Sequence, residues 1–223
     1  NYNITYANGT LSVTQRPITL TAANQSRTYG NANPTTGSVS LTSGTLANSD
    51  ALGAATVTAQ NTATATAGAG TTHGLTPSAQ AFTSGSAGNY LITYVDGTLS
   101  IAQAPLTVTA SNASKTYGDT TTFAGTEFTS SGLQNSETIG SVTLTSTGAT
   151  ATATVAGSNY AITPSSATGG SFSAGNYNIT YANGTLSVTQ RPITLTAANQ
   201  SRTYGSANPT TGSVSLTSGT LVN

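Results

Sequence analysis

An all-β protein is predicted, made of tandem β-sandwich units of about seven strands each, and three observations predict it. The chain is rich in residues that favour pleated, half-buried surfaces, with 48 Thr among its 223 residues and recurring Val, Ile and Tyr. Apolar and polar residues alternate over short runs, and no segment shows a helical apolar period. The third observation is repetition. Asn1–Leu46 returns as Asn176–Leu221 with a single change, Asn31 to Ser206.

A more diverged copy lies halfway. Tyr2, Tyr90 and Tyr177 each open the same phrase, NYNITYANGTLSVTQ, NYLITYVDGTLSIAQ and again NYNITYANGTLSVTQ. The basic unit is therefore 87–88 residues, paired into a 175-residue period. That is too long for one coil of a β-solenoid, about 20–30 residues, and suits a small sandwich domain. The units expected are residues 16–103, 104–190 and a partial third from 191 to 223. Residues 1–15 read as the closing hairpin of a preceding unit. The chain starts and stops inside units, which reads as a window of a longer array.

The hairpin is the strongest local signal. Asn8-Gly9, Asp96-Gly97 and Asn183-Gly184 lie between alternating runs, and these dipeptides suit a two-residue type I′ turn. Such a turn would face Tyr6 to Leu11, Ile4 to Val13 and Thr5 to Ser12, with Tyr94 on Leu99 and Ile92 on Ile101 in the second copy. Further strands are expected at Ile18–Ala22, Leu106–Ala110, Ser38–Thr42, Ala54–Gln60, Thr62–Ala67, Thr150–Val155 and Leu75–Phe82.

The joint between units is marked by proline. Leu11 and Val13 are odd-numbered while Ile18 and Leu20 are even, so the inward face changes at Gln15-Arg16-Pro17. The same shift falls at Gln103-Ala104-Pro105 and Gln190-Arg191-Pro192. Proline cannot donate a ladder hydrogen bond and holds the preceding residue extended. These nine residues are the candidate inter-domain joint, and no Gly/Ser linker intervenes. A stiff rod follows as the expectation.

Composition excludes several functions. Five basic and five acidic residues leave a net charge of zero. This gives no footprint for nucleic acid or anionic lipid. No apolar run approaches the roughly 20 residues of a membrane span. Without cysteine there is no disulfide framework.

The phrases SRTYGNANP (26–34), SKTYGDTTT (114–122) and AGNYLITYVDGTLSIAQAPLTVTA (87–110) resemble the YDG/MBG-type repeats of large bacterial surface adhesins. The resemblance implies tandem immunoglobulin-like β-sandwich domains in a very long exported protein, often a filamentous adhesin. It implies no enzyme activity and assigns no binding residues. Asn31 departs from the acidic residue usual in the opening phrase.

The ionisable residues offer no catalytic constellation. Catalysis needs them to converge, and Asp50, Asp96, Asp119, Glu127 and Glu137 are scattered. Asp96 has Asn8 and Asn183 as counterparts, so its charge is dispensable. Asp50 aligns with Glu137 and reads as a loop or cap acid. His73, the only histidine, has no counterpart in other units and reads as a bystander. Calcium would need clustered carboxylates, and none occur. Lys115, the only lysine, has Arg27 and Arg202 as counterparts, which disfavours isopeptide staples. Tyr29, Tyr117 and Tyr204 recur in T-Y-G and read as core tyrosines rather than a sugar platform. Sequons such as Asn24-Gln-Ser and Asn112-Ala-Ser follow from composition.

The function expected is a non-catalytic stalk or fibre segment of a secreted bacterial adhesin or matrix filament. The alternative is a multivalent module that binds carbohydrate or neighbouring fibres. No cofactor or metal is expected. The partners expected are adjacent repeats, other copies of the fibre, or extracellular polysaccharide, with no nucleic acid.

Overall fold

The computed structural model describes residues 1–222. It is all-β. Among the described residues the helical elements are three-residue 3₁₀ turns at Ala87–Asn89, Thr147–Ala149 and Ala174–Asn176. The chain forms two compact units, Asn1–Ala104 with Gly175–Tyr177, and Pro105–Ala174 with the remainder from Asn178.

The first unit contains β1 (Arg16–Ala22), β2 (Gln25–Thr28), β3 (Thr36–Gly37), β4 (Val39–Ser43), β5 (Ala51–Leu52), β6 (Ala55–Ala59), β7 (Thr72–Ser78), β8 (Phe82–Ser84), β9 (Tyr90–Val95) and β10 (Gly97–Ala102). Three of these, β3, β5 and β8, have two or three residues each, so the tally exceeds the seven expected. One sheet has the order β4-β1-β9, a second β2-β10-β7-β6-β3, and β5-β8 is a separate pair. Contacts of β7 with β1 and β9 join the two main sheets as layers. Ile18, Leu20 and Tyr90 fill the first layer, and Val57, Ala63, Leu75 and Leu99 the second. Full burial of one such leucine contributes about 2 kcal/mol.

The second unit contains β12 (Ala113–Thr116), β13 (Phe128–Ser131), β14 (Ile139–Thr145), β15 (Tyr160–Gly170), β16 (Tyr177–Ala182) and β17 (Gly184–Thr189), with β11 (Ala104–Ala110) as its first strand. Its sheets run β13-β11-β16 and β12-β17-β15-β14. Ala104, Leu106, Val108 and Ala110 alternate inward along β11. Then β18 (Thr194–Ala197) and β19 (Val214–Ser218) form a two-stranded sheet.

The expected hairpins are not formed. Residues β9 and β10 lie in different sheets, so Asp96-Gly97 is a crossing from one layer to the other. Ile92 pairs with Ile18 and Tyr94 with Leu20, both in parallel register, while Leu99 pairs with Gln25 and Ile101 with Arg27. The chain from β1 to β2 makes the same crossing, and partners stay 74 residues apart through it, as Asn24 and Thr98 show. Two arches thus run side by side. The glycine is needed for close approach rather than for positive φ, which Gly97 and Gly184 do not have. A Cβ on Gly97 would lie 2.5 Å from the Ala22 carbonyl oxygen, and one on Gly184 2.5 Å from that of Ala110. Asn24 Oδ1 accepts from Thr98 N–H at 2.9 Å, and Asn112 Oδ1 accepts from Thr185 N–H at 2.8 Å.

The same logic corrects the reading of residues 1–15, which carry no strand before β1 begins at Arg16. Their counterparts are held by β1, β2 and β7, and a short ribbon without such neighbours is marginal in water. Thr62–Ala67 and Thr150–Val155 are turns rather than strands, closed by Ala63 N–H to Gln60 O (2.8 Å), Ala67 N–H to Thr64 O (3.0 Å) and Ala153 N–H to Thr150 O (3.2 Å). Paired positive-φ turns do occur, at Asn48-Ser49 and Asn135-Ser136, closed by Asp50 N–H to Ala47 O and Glu137 N–H to Gln134 O.

Candidate functional site

The five basic residues of the chain, Arg16, Arg27, Lys115, Arg191 and Arg202, occupy only two positions of the repeat. One is the joint and the other the S-[RK]-T-Y-G phrase. That economy makes these two places the candidate sites.

At the first joint, Gln15 Nε2 donates to Gly88 O at 3.0 Å and Arg16 donates to Thr45 Oγ1 at 2.7 Å. Pro17 sits within β1 opposite Leu91. At the second, Gln103 alone separates β10 from β11, and its Nε2 donates to Gly175 O at 3.1 Å within the first compact unit. Ala104 is buried and Pro105 exposed. Leu99 and Ile101 point inward before Gln103, Ala104 and Leu106 after it, so the inward face changes there. At the third, Gln190 and Pro192 are exposed while Arg191 Nε donates to Tyr117 O at 2.7 Å and pairs with Asp119. Asp119 corresponds to Asn31, and Arg191 to Ala104. The charged pair therefore belongs to one unit type and the uncharged set to the other.

The S-[RK]-T-Y-G phrase supplies β2 and β12, which sequence patterning missed because their residues are polar. Arg27 and Lys115 point inward and are buried. Arg27 donates to Asn33 Oδ1 at 2.7 Å, Thr64 O at 2.6 Å and Thr28 O at 3.3 Å. Asn33 Nδ2 donates to Ala63 O at 2.7 Å, so the two side chains pin the 62–67 turns. Burial lowers the pKa of Arg27, yet an arginine remains protonated in proteins. Lys115 Nζ donates to Asp119 O at 2.9 Å and to Thr150 O. Each cation thus ties one strand to a loop through carbonyl acceptors. The signal available in the sequence was a basic residue kept at this position in all three copies of a nearly uncharged chain.

Several tyrosines of the two complete units hold their own fold, whereas Tyr204, expected in a core, is exposed, as are Tyr2 and Tyr6. Tyr29 is buried, with its ring 5.6 Å from that of Tyr177 in an edge-on arrangement. Tyr94 and Tyr181 accept from Gln80 N–H and Ala167 N–H at 3.0 and 2.8 Å. Those amides follow the positive-φ residues Ala79 and Ser166. Tyr90 accepts from Ala47 N–H at 2.9 Å and donates to Asp50 at 2.7 Å. The Ala47 bond favours the phenolate, but the Asp50 bond and burial outweigh it, so the Tyr90 pKa is raised. Asp50 is therefore a partner of the core tyrosine rather than a solvated loop acid.

The remaining candidates do not converge. His73 lies between Thr62 Oγ1 (2.9 Å) and Thr71 Oγ1 (3.0 Å). Glu127 accepts from the N–H groups of Ala124, Gly125 and Thr126 at 2.9–3.1 Å, and these bonds, Ala124 first, lower its pKa. Among the described residues no group of three or more His, Asp or Glu could hold a metal ion, and no helix is long and apolar enough to cross a membrane.

Parallel arches, polar strands pinned by buried cations, and recurring core tyrosines define a class: a tandem all-β repeat protein. Comparison with known families matches the MBG domain (YGX type) twice, at residues 18–100 and 106–187. The chain belongs to that family. Neither the curated proteins nor the solved structures contain a match.

Proposed function

We propose that the chain is a structural segment of a long exported bacterial surface adhesin or extracellular-matrix filament. Each repeat adds length, and recognition is left to other parts of the molecule. One observation carries this reading: the recurring polar and aromatic side chains are engaged in holding their own units. Arg27 and Lys115 bind loop carbonyls, Tyr90, Tyr94 and Tyr181 bind backbone amides, and Asn24 and Asn112 hold the arches. The scattered acids and the threonine-bound His73 support a role without catalysis. Between residues 16 and 190 the exposed large hydrophobics are Leu91 and Val95. These are aliphatic, which supports a spacer over a multivalent carbohydrate binder with a shared aromatic platform.

Solution scattering from arrays of two, four and eight repeats tests the reading. A rod should lengthen linearly, by about 40 Å per repeat from strand rise plus loops. Scaling as a flexible chain would refute it. Antibody labelling of intact source cells tests the location, and signal only after lysis would refute export.

A further inference from the structure

The arch between β16 and β17 carries a reactive dipeptide. A single residue, Asn183, joins the two strands, which lie in different sheets. Asn183 is exposed, whereas Gly184 beside it is buried. A side-chain amide followed by glycine is open to attack by the next backbone nitrogen, because no Cβ shields that nitrogen. Closure of a five-membered ring is the consequence wherever the chain is free to bend.

The closed arch withholds the nucleophile. Thr185 N–H turns toward β12, where Asn112 Oδ1 accepts it at 2.8 Å, and Val188 N–H turns the other way, to Ser158 Oγ at 2.9 Å just before β15. N–H directions alternate along a strand, so the Gly184 N–H points with that of Val188, into the ladder opposite Ile162. The carbonyl oxygens of Ala110 and Ser111 close in as well, since a Cβ on Gly184 would lie 2.5 and 2.7 Å from them. The nitrogen is thus engaged, and the chain around it is held from bending toward Asn183 Cγ. At the equivalent position the first unit has Asp96, exposed and in the same kind of arch, with Gly97 against the Ala22 carbonyl and Thr98 N–H on Asn24. The arch therefore closes over the acid as well as over the amide.

We propose that Asn183 is a self-modification site gated by the arch, and that one of its two products locks the arch open. When the arch opens, the Gly184 nitrogen gives up its proton to solvent and bonds to Asn183 Cγ. The Cγ–Nδ2 bond breaks, ammonia leaves, and a succinimide remains. Water then opens the ring. Cleavage at Cγ yields an ordinary aspartate, the residue type that Asp96 already is, and the arch closes again. Cleavage at the main-chain carbonyl yields isoaspartate, whose main chain runs through Cβ and Cγ and is one atom longer. That atom falls in a one-residue crossing whose far end is fixed by Ala110, Ser111 and Asn112, so β17 cannot regain its register on β12 and β15. Overall one water is consumed and one ammonia released, with no redox change. Local opening, ordinarily reversible, becomes permanent in the second unit. None of this depends on the extracellular role.

Incubation of the full chain in mildly alkaline buffer, folded or in urea, tests it. Peptide mapping by mass spectrometry reads acid at position 183, and enzymatic methylation reads isoaspartate there. In the folded chain the conversion should run at least about tenfold slower than in urea. It should climb as subdenaturing urea opens the arch. Asn112→Ala, which removes the Thr185 acceptor, should speed it about fivefold in the folded chain and leave it unchanged in urea. Asn183→Asp should keep native hydrogen-exchange protection along β17, whereas the purified isoaspartate form should lack it after refolding. Equal rates in the folded and unfolded chains would overturn the gate. No conversion in urea would overturn the site, and native protection in the isoaspartate form would overturn the lock.

Discussion

Residues 16–46 and 191–221 are one sequence in two settings, and the contrast separates what the segment does alone from what its neighbours impose. In both, the first and fourth strands pair with the same register and the same irregularity, Leu20 with Leu41 and Leu195 with Leu216. That pairing is local. The strand at Gln25–Thr28 has no counterpart at 200–203, and Tyr29 is 2 % exposed where Tyr204 is 102 % exposed. The polar strand and the core tyrosine exist only where β10 lies alongside. Residues 1–15 and 176–190 repeat the lesson, since identical residues form β16 and β17 in one place and no strand in the other.

The largest expected effect breaks the contrast at its core. Leu20→Ala should cost about 3 kcal/mol of first-unit stability by transfer and cavity terms. The same change at Leu195 should stay within about 0.5 kcal/mol. Denaturant unfolding of the two variants compares them, and equal losses would mean that the third repeat is packed in solution. Next is the buried cation. Arg27→Ala strands Asn33 and the Thr64 carbonyl and should cost about 2 kcal/mol, whereas Arg202→Ala, at an exposed arginine, should be near neutral. Arg27→Lys should recover most of the loss, because Lys115 does the equivalent work in the second unit.

These two tests mark where the sequence was legible. Inward alternation located β1, β4, β6 and β11, because each has one face on a core and an apolar residue at every second position. The face change at Gln103 was legible for the same reason. Pairing was not. An Asn-Gly or Asp-Gly step between alternating runs satisfies a hairpin and an arch equally, and which forms depends on β1 and β2, some 70 residues away. The real positive-φ pairs, Asn48-Ser49 and Asn135-Ser136, lack glycine and so gave no signal. The T-A-T-A-T runs have the period of a strand but are pinned as turns by Arg27 and Lys115. Those basic residues were visible as a repeated charge, but their burial was not, since apart from Asn33 Oδ1 the acceptors are backbone carbonyls with no signature in residue type.

The arch itself offers a third test. Gly97→Ala puts a Cβ against the Ala22 carbonyl and should cost about 2 kcal/mol, the scale of overpacking. Gly9 has the same phrase around it and nothing within 4 Å of an added Cβ, so Gly9→Ala should be silent in the same thermal melt. A hairpin at Asp96-Gly97 would make the two glycines behave alike. Smaller again is Asn24→Ala, which removes the acceptor for Thr98 N–H and should cost about 1 kcal/mol. Asn199→Ala, in the unpaired copy, should be silent.

The smallest effect distinguishes the two complete units by pH. In the second unit Glu127 follows Gly125-Thr126, where the first has Val39 after Gly37-Ser38 and the third Val214 after Gly212-Ser213. The three backbone N–H groups on its carboxylate stabilise the charged form, so its folded pKa lies below the unfolded value of about 4.3. The contribution is therefore complete above that value and fades as pH falls through the folded pKa. The group is well solvated, so screening keeps the effect small and salt dependent. Thermal melts between pH 7 and pH 2 should show the second unit losing stability on acidification, and Glu127→Gln should remove that part of the slope. Val39→Glu should not install it in the first unit, where Val39 lies within β4 opposite Ala22 and packs against the core of Ile18, Leu20 and Tyr90. An unchanged slope in Glu127→Gln would mean that the three amides are equally well satisfied by water, and that the two unit types differ in sequence here without differing in energy.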